Sequence, residues 1–569
     1  MKTFLALLLT CPIYSAAFGN MAQTGTTGGG QSGSHVQAID QGKFLINSGG
    51  ERIGTESFHI GADYSGESSD ELTLGGRAIK FGSRLQLDPA TMKARRFTLE
   101  QAPDVRLVFD FDGPTVKLTG SKQATVQTDP DAVVLENNAW YHYYFLVRRY
   151  DARRGGTQQF KAFVPSIMQT IPVTVTAAGT VGPLPGSTSR LNLYAVNVAG
   201  SLKIGVVTDS SGRLVYVGIP SQHAAAVREE YAGFLGQLSA AVNGGEAEAK
   251  PDYSAPPGAA FNAEEVTIPL KGYTLAGTLL LPKACGGPCP AAVMITGSGL
   301  QERDENIAIP GLEKYRPFKQ IAEALAGRGI AVLRVDDRGI GGSTGRETLA
   351  AATTSSFADD TRAEVAYLRA RREIDPKRIA LVGHSEGGLI APMVAASDPK
   401  IAAIVLLAGP GRPGSEISLY QLRQVLDEQP GMTREEEEKK LAEQREVIKA
   451  VQTGGDLSKY PEQARLPWVK EYFTYDPIPT IRRVRQPILI LQGALDRQIT
   501  ADQAGLLEQA ARAAGNRDVT VRVFPGLNHL FLPAKTGAFS EYSSLQTTSI
   551  PEEVLTVLSD WLHDRLQAR

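Results

Sequence analysis

Residues Arg378 to Pro399 read RIALVGHSEGGLIAPMVAASDP, and the role of Ser385 in their middle decides how the second half of the chain is built. The pattern G-x-S-x-G calls for a strand that stops abruptly, a sharp turn carrying an exposed hydroxyl, and a helix that starts at once. Before the serine, IALV is a short apolar run of the kind a buried parallel strand shows. After it, GGLIAPMVAAS is apolar and small, suited to a helix packed against a sheet. Small residues flank the serine because side chains there would collide with the neighbouring backbone. The pattern alone is weak in a chain with 58 glycines, and it recurs as GGSTG at Gly341 to Gly345. There the strand IAVLRV ends several residues before Ser343 and polar TGRET follows, so that stretch reads as a glycine-rich loop. Ser385 is the candidate nucleophile.

From about Glu264 onward, strand patterns alternate with helical ones. AAVMIT precedes PFKQIAEALAGRG, IAVLRV precedes FADDTRAEVAYLRARRE, and PILILQG precedes TADQAGLLEQAARAAG. Such alternation predicts right-handed crossovers and a mostly parallel, doubly wound sheet. The opening VTIPLKGYTLAGTLLLP reads as an antiparallel hairpin on its edge. One segment, at about 410–485, carries no strand signal and reads as helical; Thr433 and Glu436 in it form a capping box. Its charge run is a solvated helix face. Falling just past the carboxyl end of a strand, the insertion lies where a cap over a site would sit.

The first half differs. Residues 37–235 show short alternating runs punctuated by glycine, proline and aspartate, including KFLIN, RIGTESFHI, VRLVFDF, NAWYHYYFLVRRY and LNLYAVNVA. These predict a separate β-rich domain of unknown function. A helix over HAAAVREEYAGFLGQLSAAV follows, with a polar linker in the 236–262 region and the second domain over 263–569. A chain of 569 residues is too long for one core, in keeping with this division. Residues 1–19 have a positive charge, an apolar stretch and small residues near Ala17 and Gly19, which predicts a signal peptide and a periplasmic or secreted location. The apolar stretch is short of the roughly 18 residues a membrane span needs. Residues 20–36 are glycine- and serine-rich and read as a flexible linker. Cys285 and Cys289 remain after export and are expected to pair as a small staple. A net charge of −2 with no basic stripe excludes a nucleic-acid footprint.

A serine hydroxyl needs a base to take its proton and a third group to orient that base. Of seven histidines, His35 is in the linker, His59, His142 and His223 lie in or just after the β-rich region, and His563 is in the last helix. His384, next to the serine, should point to the opposite side of the strand end. His529 in FPGLNHLF follows a sheet strand and is the candidate base. Asp496, in the loop after ILILQG, is the candidate orienting carboxylate; Asp502 reads as a helix cap and Asp518 as a turn residue. Serine, aspartate, histidine is also the chain order of the hydrolase triad. Two backbone N–H groups should meet the developing oxyanion. One is that of Glu386; the other comes from TGSGLQERDEN, with Ser298 favoured over Gly299 or Leu300. Arg303, Asp304, Asp337 and Arg338 read as ion pairs bracing two glycine-rich loops.

GHSEGG, TGSGLQERDE, VDDRGIGGSTG, EYFTYDP and the spaced Asp496 and His529 together resemble bacterial serine esterases of the α/β-hydrolase fold, in the dienelactone hydrolase and bile-acid-CoA acyltransferase-like branch. The resemblance covers about 260–569 and implies a helical cap and hydrolysis of short-chain esters, with no cofactor and no metal. Thr296 stands where many relatives carry His-Gly, which bears on the second oxyanion donor. The expectation is a serine hydrolase acting on a small-molecule ester through an acyl-enzyme, without a nucleic-acid partner or membrane span. A peptidase resembling the prolyl oligopeptidase group, a thioesterase or an acyltransferase would use the same nucleophile. The first of these carries a β-propeller of repeated blades, and no such period occurs here.

Overall fold

The structure is a computed structural model. It describes residues 38–567 apart from 49–50, 75–76, 102–104, 122, 137–138, 183, 185–189, 200–201, 223, 243–251, 300, 307–311, 313, 429–431, 458–459 and 461. The expected signal peptide and flexible linker, with His35, and also His223 and Leu300, lie outside the described residues. The chain divides into two units between residues 251 and 252. Among the described residues no helix is long and apolar enough to cross a membrane.

Among the described residues, the strands of the first unit form one sheet of fifteen. Seven hairpin-linked strands run back from Ala124–Gln127 to Glu51–Gly61 and on to Ala38–Ser48, which then pairs with Ala224–Arg228. From there the sheet continues back through the chain to Val133–Val134. Alternate residues point to opposite faces. Phe44, Phe58, Leu72, Leu85, Phe97 and Phe109 accordingly gather in one buried cluster, while chain neighbours such as Glu71, Thr73, Arg84, Gln86 and Arg96 are exposed.

Two sequence expectations fail in this unit. NAWYHYYFLVRRY contains a helix, His142–Arg148, rather than a strand. Its aromatic content mimics a strand, but Tyr141, Tyr144, Phe145, Leu146 and Val147 pack into the cluster that holds Phe44, Phe58 and Phe97, laid against the sheet rather than within it. The Glu56 carboxylate anchors the helix entry, accepting the N–H groups of Trp140 at 2.7 Å and Tyr141 at 2.9 Å. The second failure is the helix expected over residues 223–242. Ala224–Arg228 is a strand, and only Leu235–Val242 is α-helical. Tertiary pairing overrides alanine's helix propensity here, because the segment joins the sheet on both sides. Arg228 also makes a fully buried ion pair with Asp40 at 2.7 Å.

Among its described residues the second unit has eight strands. In chain order they are Phe261–Pro269, Thr274–Pro282, Cys289–Ile295, Ala331–Val335, Ile374–His384, Ala403–Leu407, Ile488–Gly493 and Val519–Phe524. They pair in the order first, second, fourth, third, fifth, sixth, seventh, eighth. The first two form the antiparallel hairpin, the second also runs antiparallel to the fourth, and the rest are parallel. Both faces are covered. Along Cys289–Ile295, Ala291, Val293 and Ile295 join one cluster with helices Thr354–Ala370, Gly387–Ala395 and Asp502–Ala513. Ala292 and Met294 join the other, with Pro317–Gly327 and Glu552–Gln567. Burial on both sides explains why these strands read as continuous apolar runs.

Between the sixth and seventh strands lie helices Gly414–Asp427, Arg434–Thr453, Pro467–Thr474 and Pro477–Ile481. The capping box is present: Glu436 N–H donates to Thr433 Oγ1 at 3.2 Å, and Thr433 N–H to Glu436 Oε2 at 2.9 Å. Val447, Ile448, Val451, Val469 and Phe473 give the insertion its own small core. Cys285 and Cys289 form a disulfide at the start of the third strand.

Candidate active site

The fifth strand ends at His384, and Ser385 follows with φ +51°, a left-handed conformation that costs a non-glycine residue energy. Two hydrogen bonds hold it there. Ser385 N–H donates to Leu407 O at 2.9 Å, and Gly388 N–H donates to Ser385 O at 2.8 Å as the helix begins. The flanking glycines are sterically required: a Cβ on Gly383 would stand 2.1 Å from Gly387 O, and one on Gly387 would stand 2.2 Å from Ile295 O. Ser385 itself is half-buried. Ser343, in the second G-x-S-x-G match, is spent on structure. Its Oγ donates to Asp336 O and accepts Ala276 N–H, each at 2.8 Å.

Asp496 and His529 come from the loops after the seventh and eighth strands. His529 Nδ1 and Asp496 Oδ2 are 2.8 Å apart, and both side chains are buried. The carboxylate is held from every side: Oδ1 accepts the N–H groups of Gln498 and Ile499, and Oδ2 accepts Gln492 Nε2, each at 2.8 Å. Because a carboxylate only accepts, Nδ1 is the protonated nitrogen, and Nε2 of a neutral ring is left as the acceptor. Asp502 and Asp518 are occupied elsewhere, by Arg412 at 2.9 Å and Arg565 at 2.8 Å.

The loop after the third strand lies against the turn, since a Cβ on Gly297 would come within 3.2 Å of Ser385 Cβ. Ser298 Oγ donates to Glu386 Oε2 at 2.8 Å, tying together the two residues expected to offer backbone donors. The Glu386 carboxylate, 2% exposed, also accepts Thr354 Oγ1 at 2.6 Å and Trp468 Nε1 at 2.7 Å. Sequence reading did not find this role for Trp468, 82 residues away with no local pattern to mark it.

His384 departs from expectation. Strand alternation turned it away from the site, yet its ring centroid lies 5.0 Å from that of His529. Alternation holds only for extended backbone, and it ends at the left-handed Ser385. Nδ1 of His384 is 2.9 Å from Glu305 Oε1, and Nε2 is 3.1 Å from the His529 carbonyl oxygen. Three of the four charged loop residues form ion pairs, each with a partner outside the group; only Arg303 ties the two loops together in this way. Arg303 pairs with Asp336 at 2.8 Å and Arg338 with Asp360 at 2.7 Å, while Asp304 pairs with Arg334. Asp337 accepts Thr296 Oγ1 at 2.9 Å, so the residue that departs from His-Gly locks its own loop.

A family model described as serine aminopeptidase, S33, matches residues 307–534, which include Ser385, Asp496 and His529. The second unit has the α/β-hydrolase fold. Esterase EstD of Thermotoga maritima is 28% identical to this chain over 317 residues, which are 55% of this chain and 69% of that protein. An uncharacterized protein of Mycobacterium tuberculosis is 33% identical over 130 residues, 40% of its length. Among solved structures, Est1E of Butyrivibrio proteoclasticus with bound ferulic acid covers 53% of this chain and 99% of its own, at 18% identity and a TM-score of 0.36. An esterase of Pyrococcus furiosus covers 55% and 94%, at 17% identity and a TM-score of 0.36. In the element order of the second unit, the serine turn, the loops that carry Asp496 and His529 and the third-strand loop all follow the carboxyl ends of strands.

Proposed function

We propose that the α/β-hydrolase unit hydrolyses carboxylic esters, with short acyl chains preferred, through an acyl-enzyme. Ser385 attacks the carbonyl while His529 Nε2 takes its proton. Asp496 fixes the tautomer and stabilises the imidazolium that forms. Charge on the carbonyl oxygen is met by the N–H groups of Ser298 and Glu386. His529 returns the proton to the leaving alcohol, and water releases the acyl group by the same steps in reverse.

The observation that carries this reading is the 2.8 Å His529–Asp496 pair, oriented so that Nε2 is the acceptor; the left-handed turn at Ser385 supports it. EstD, named as an esterase, supports esters as the substrate class. The aminopeptidase description of the matching family favours a second reading, cleavage of aminoacyl amides by the same three residues. A periplasmic or secreted location rests on the leader-like residues 1–19, and the Cys285–Cys289 disulfide suits an oxidising compartment.

The test compares p-nitrophenyl acetate with aminoacyl p-nitroanilides, using the wild type and Ser385→Ala. Ester turnover abolished in a folded Ser385→Ala supports the proposal. Turnover surviving that change rejects it, and anilide turnover without ester turnover establishes the second reading instead.

A further inference from the structure

Glu305 joins three parts of this site without belonging to the proposed triad. It is 2% exposed and has φ +56°. Its Oε1 accepts Gly297 N–H at 2.7 Å, in the loop that precedes Ser298, and lies 2.9 Å from His384 Nδ1. The other ring nitrogen of His384 is 3.1 Å from the carbonyl oxygen of His529. A carbonyl oxygen only accepts, and so does a carboxylate, whereas a neutral imidazole carries a single N–H. With a carboxylate at Glu305, both contacts are hydrogen bonds only when both ring nitrogens are protonated.

We infer that His384 is a buried imidazolium, held by Glu305, that acts as a positioning residue of the hydrolytic site by pinning the His529 loop to the oxyanion loop. The inference rests on the triad reading for its role, though not for the charge of the ring. The residue before Ser385 thereby fixes the backbone on which His529 is mounted. The two rings lie close, with centroids 5.0 Å apart.

The groups facing His384 are Glu305, His529 and, beyond it, Asp496, with the Phe531 ring as an apolar neighbour. Tyr315, whose hydroxyl donates to Leu530 O, lies near Glu305. Burial alone would hold His384 neutral. The Glu305 carboxylate and the His529 carbonyl outweigh it and raise the ring above the ordinary histidine value.

Full-length protein labelled with 15N in histidine tests the charge directly. At about pH 8, where ordinary histidines are neutral, one ring should show two protonated nitrogens. That signal should vanish in His384→Gln and revert to a neutral ring in Glu305→Gln. His384→Gln keeps one donor and loses the charge. Its kcat on p-nitrophenyl acetate should fall about tenfold with KM little changed. A neutral His384 in the wild type at that pH, or an unchanged kcat in folded His384→Gln, overturns the inference. If Ser385→Ala still turns over ester, the hydrolase reading fails, and the positioning role fails with it even where the imidazolium is seen.

Discussion

Trp468 Nε1 donates to Glu386 Oε1 across 2.7 Å, so a helix of the insertion holds the carboxylate that directly follows Ser385. Thr354 and Ser298 hold the same carboxylate from a sheet-covering helix and from the third-strand loop. The backbone of Glu386 is thereby fixed by three segments far apart in sequence.

Removing the indole donor loosens that arrangement with little loss of packing. A hydrogen bond to a charged group contributes about 1.5–3 kcal/mol. Trp468→Phe keeps a ring against Tyr472, on which the indole now stacks at 5.0 Å. Its kcat/KM should fall about tenfold or more, and steady-state kinetics with a thermal scan would separate this from simple unfolding. An unchanged kcat/KM would show that the insertion is not coupled to the turn.

Asp496→Asn should leave the fold intact, because an amide still fits the donors around it in part. It no longer enforces the protonated Nδ1 of His529. The expected loss is about four orders of magnitude in kcat, the scale seen when a triad carboxylate is neutralised. Single-turnover assays would read it. A loss below about tenfold would place the orienting group elsewhere.

Asp70 and Glu56 are buried together in the first unit, both 0% exposed. Burial pushes Asp70 up from 3.8 to about 7, against the Ser68 hydroxyl that lowers it, and burial and the neighbouring Asp70 hold Glu56 well above the usual carboxylate range. A raised value means the folded state binds a proton more tightly than the unfolded chain. The stability from Asp70 is therefore fully present below pH 3.8 and is lost as pH climbs to about 7. Calorimetry across that range should show a falling melting temperature that Asp70→Asn flattens; an equal fall in the variant would remove Asp70 from the account.

The Cys285–Cys289 disulfide closes a ring of a few residues, for which loop-closure entropy gives about 2 kcal/mol. Replacing both cysteines by serine should lower urea-measured stability by about that amount and leave kcat/KM unchanged. Lost activity would mean that the staple shapes the site as well as the strand entry.

The serine turn was legible in sequence because its constraints are local. GHSEGG carries its own strand, glycines and helix within a dozen residues, and the edge hairpin and the capping box are local in the same way. The Asp496–His529 pair was legible through element order, each residue ending a recognisable strand. The Glu305–His384 and Trp468–Glu386 contacts were not, since they span 79 and 82 residues and follow no periodicity. Nor were the elements at residues 142–148 and 224–228, where burial and sheet pairing override local preference.

The fifteen-stranded sheet also sets an order of events during synthesis. Ala38–Ser48 is made among the first strands, but its neighbour on one side, Ala224–Arg228, is made last. Until roughly the whole unit has emerged, that early strand has an open flank, with unpaired backbone groups beside Phe44 and Ile46. Closing this central seam is a contact of nearly maximal separation for the unit, and such contacts form slowly. A nascent chain of this protein is thus most prone to clump just before its seam can shut, and truncation shortly before residue 224 should produce aggregates where truncation after residue 242 does not.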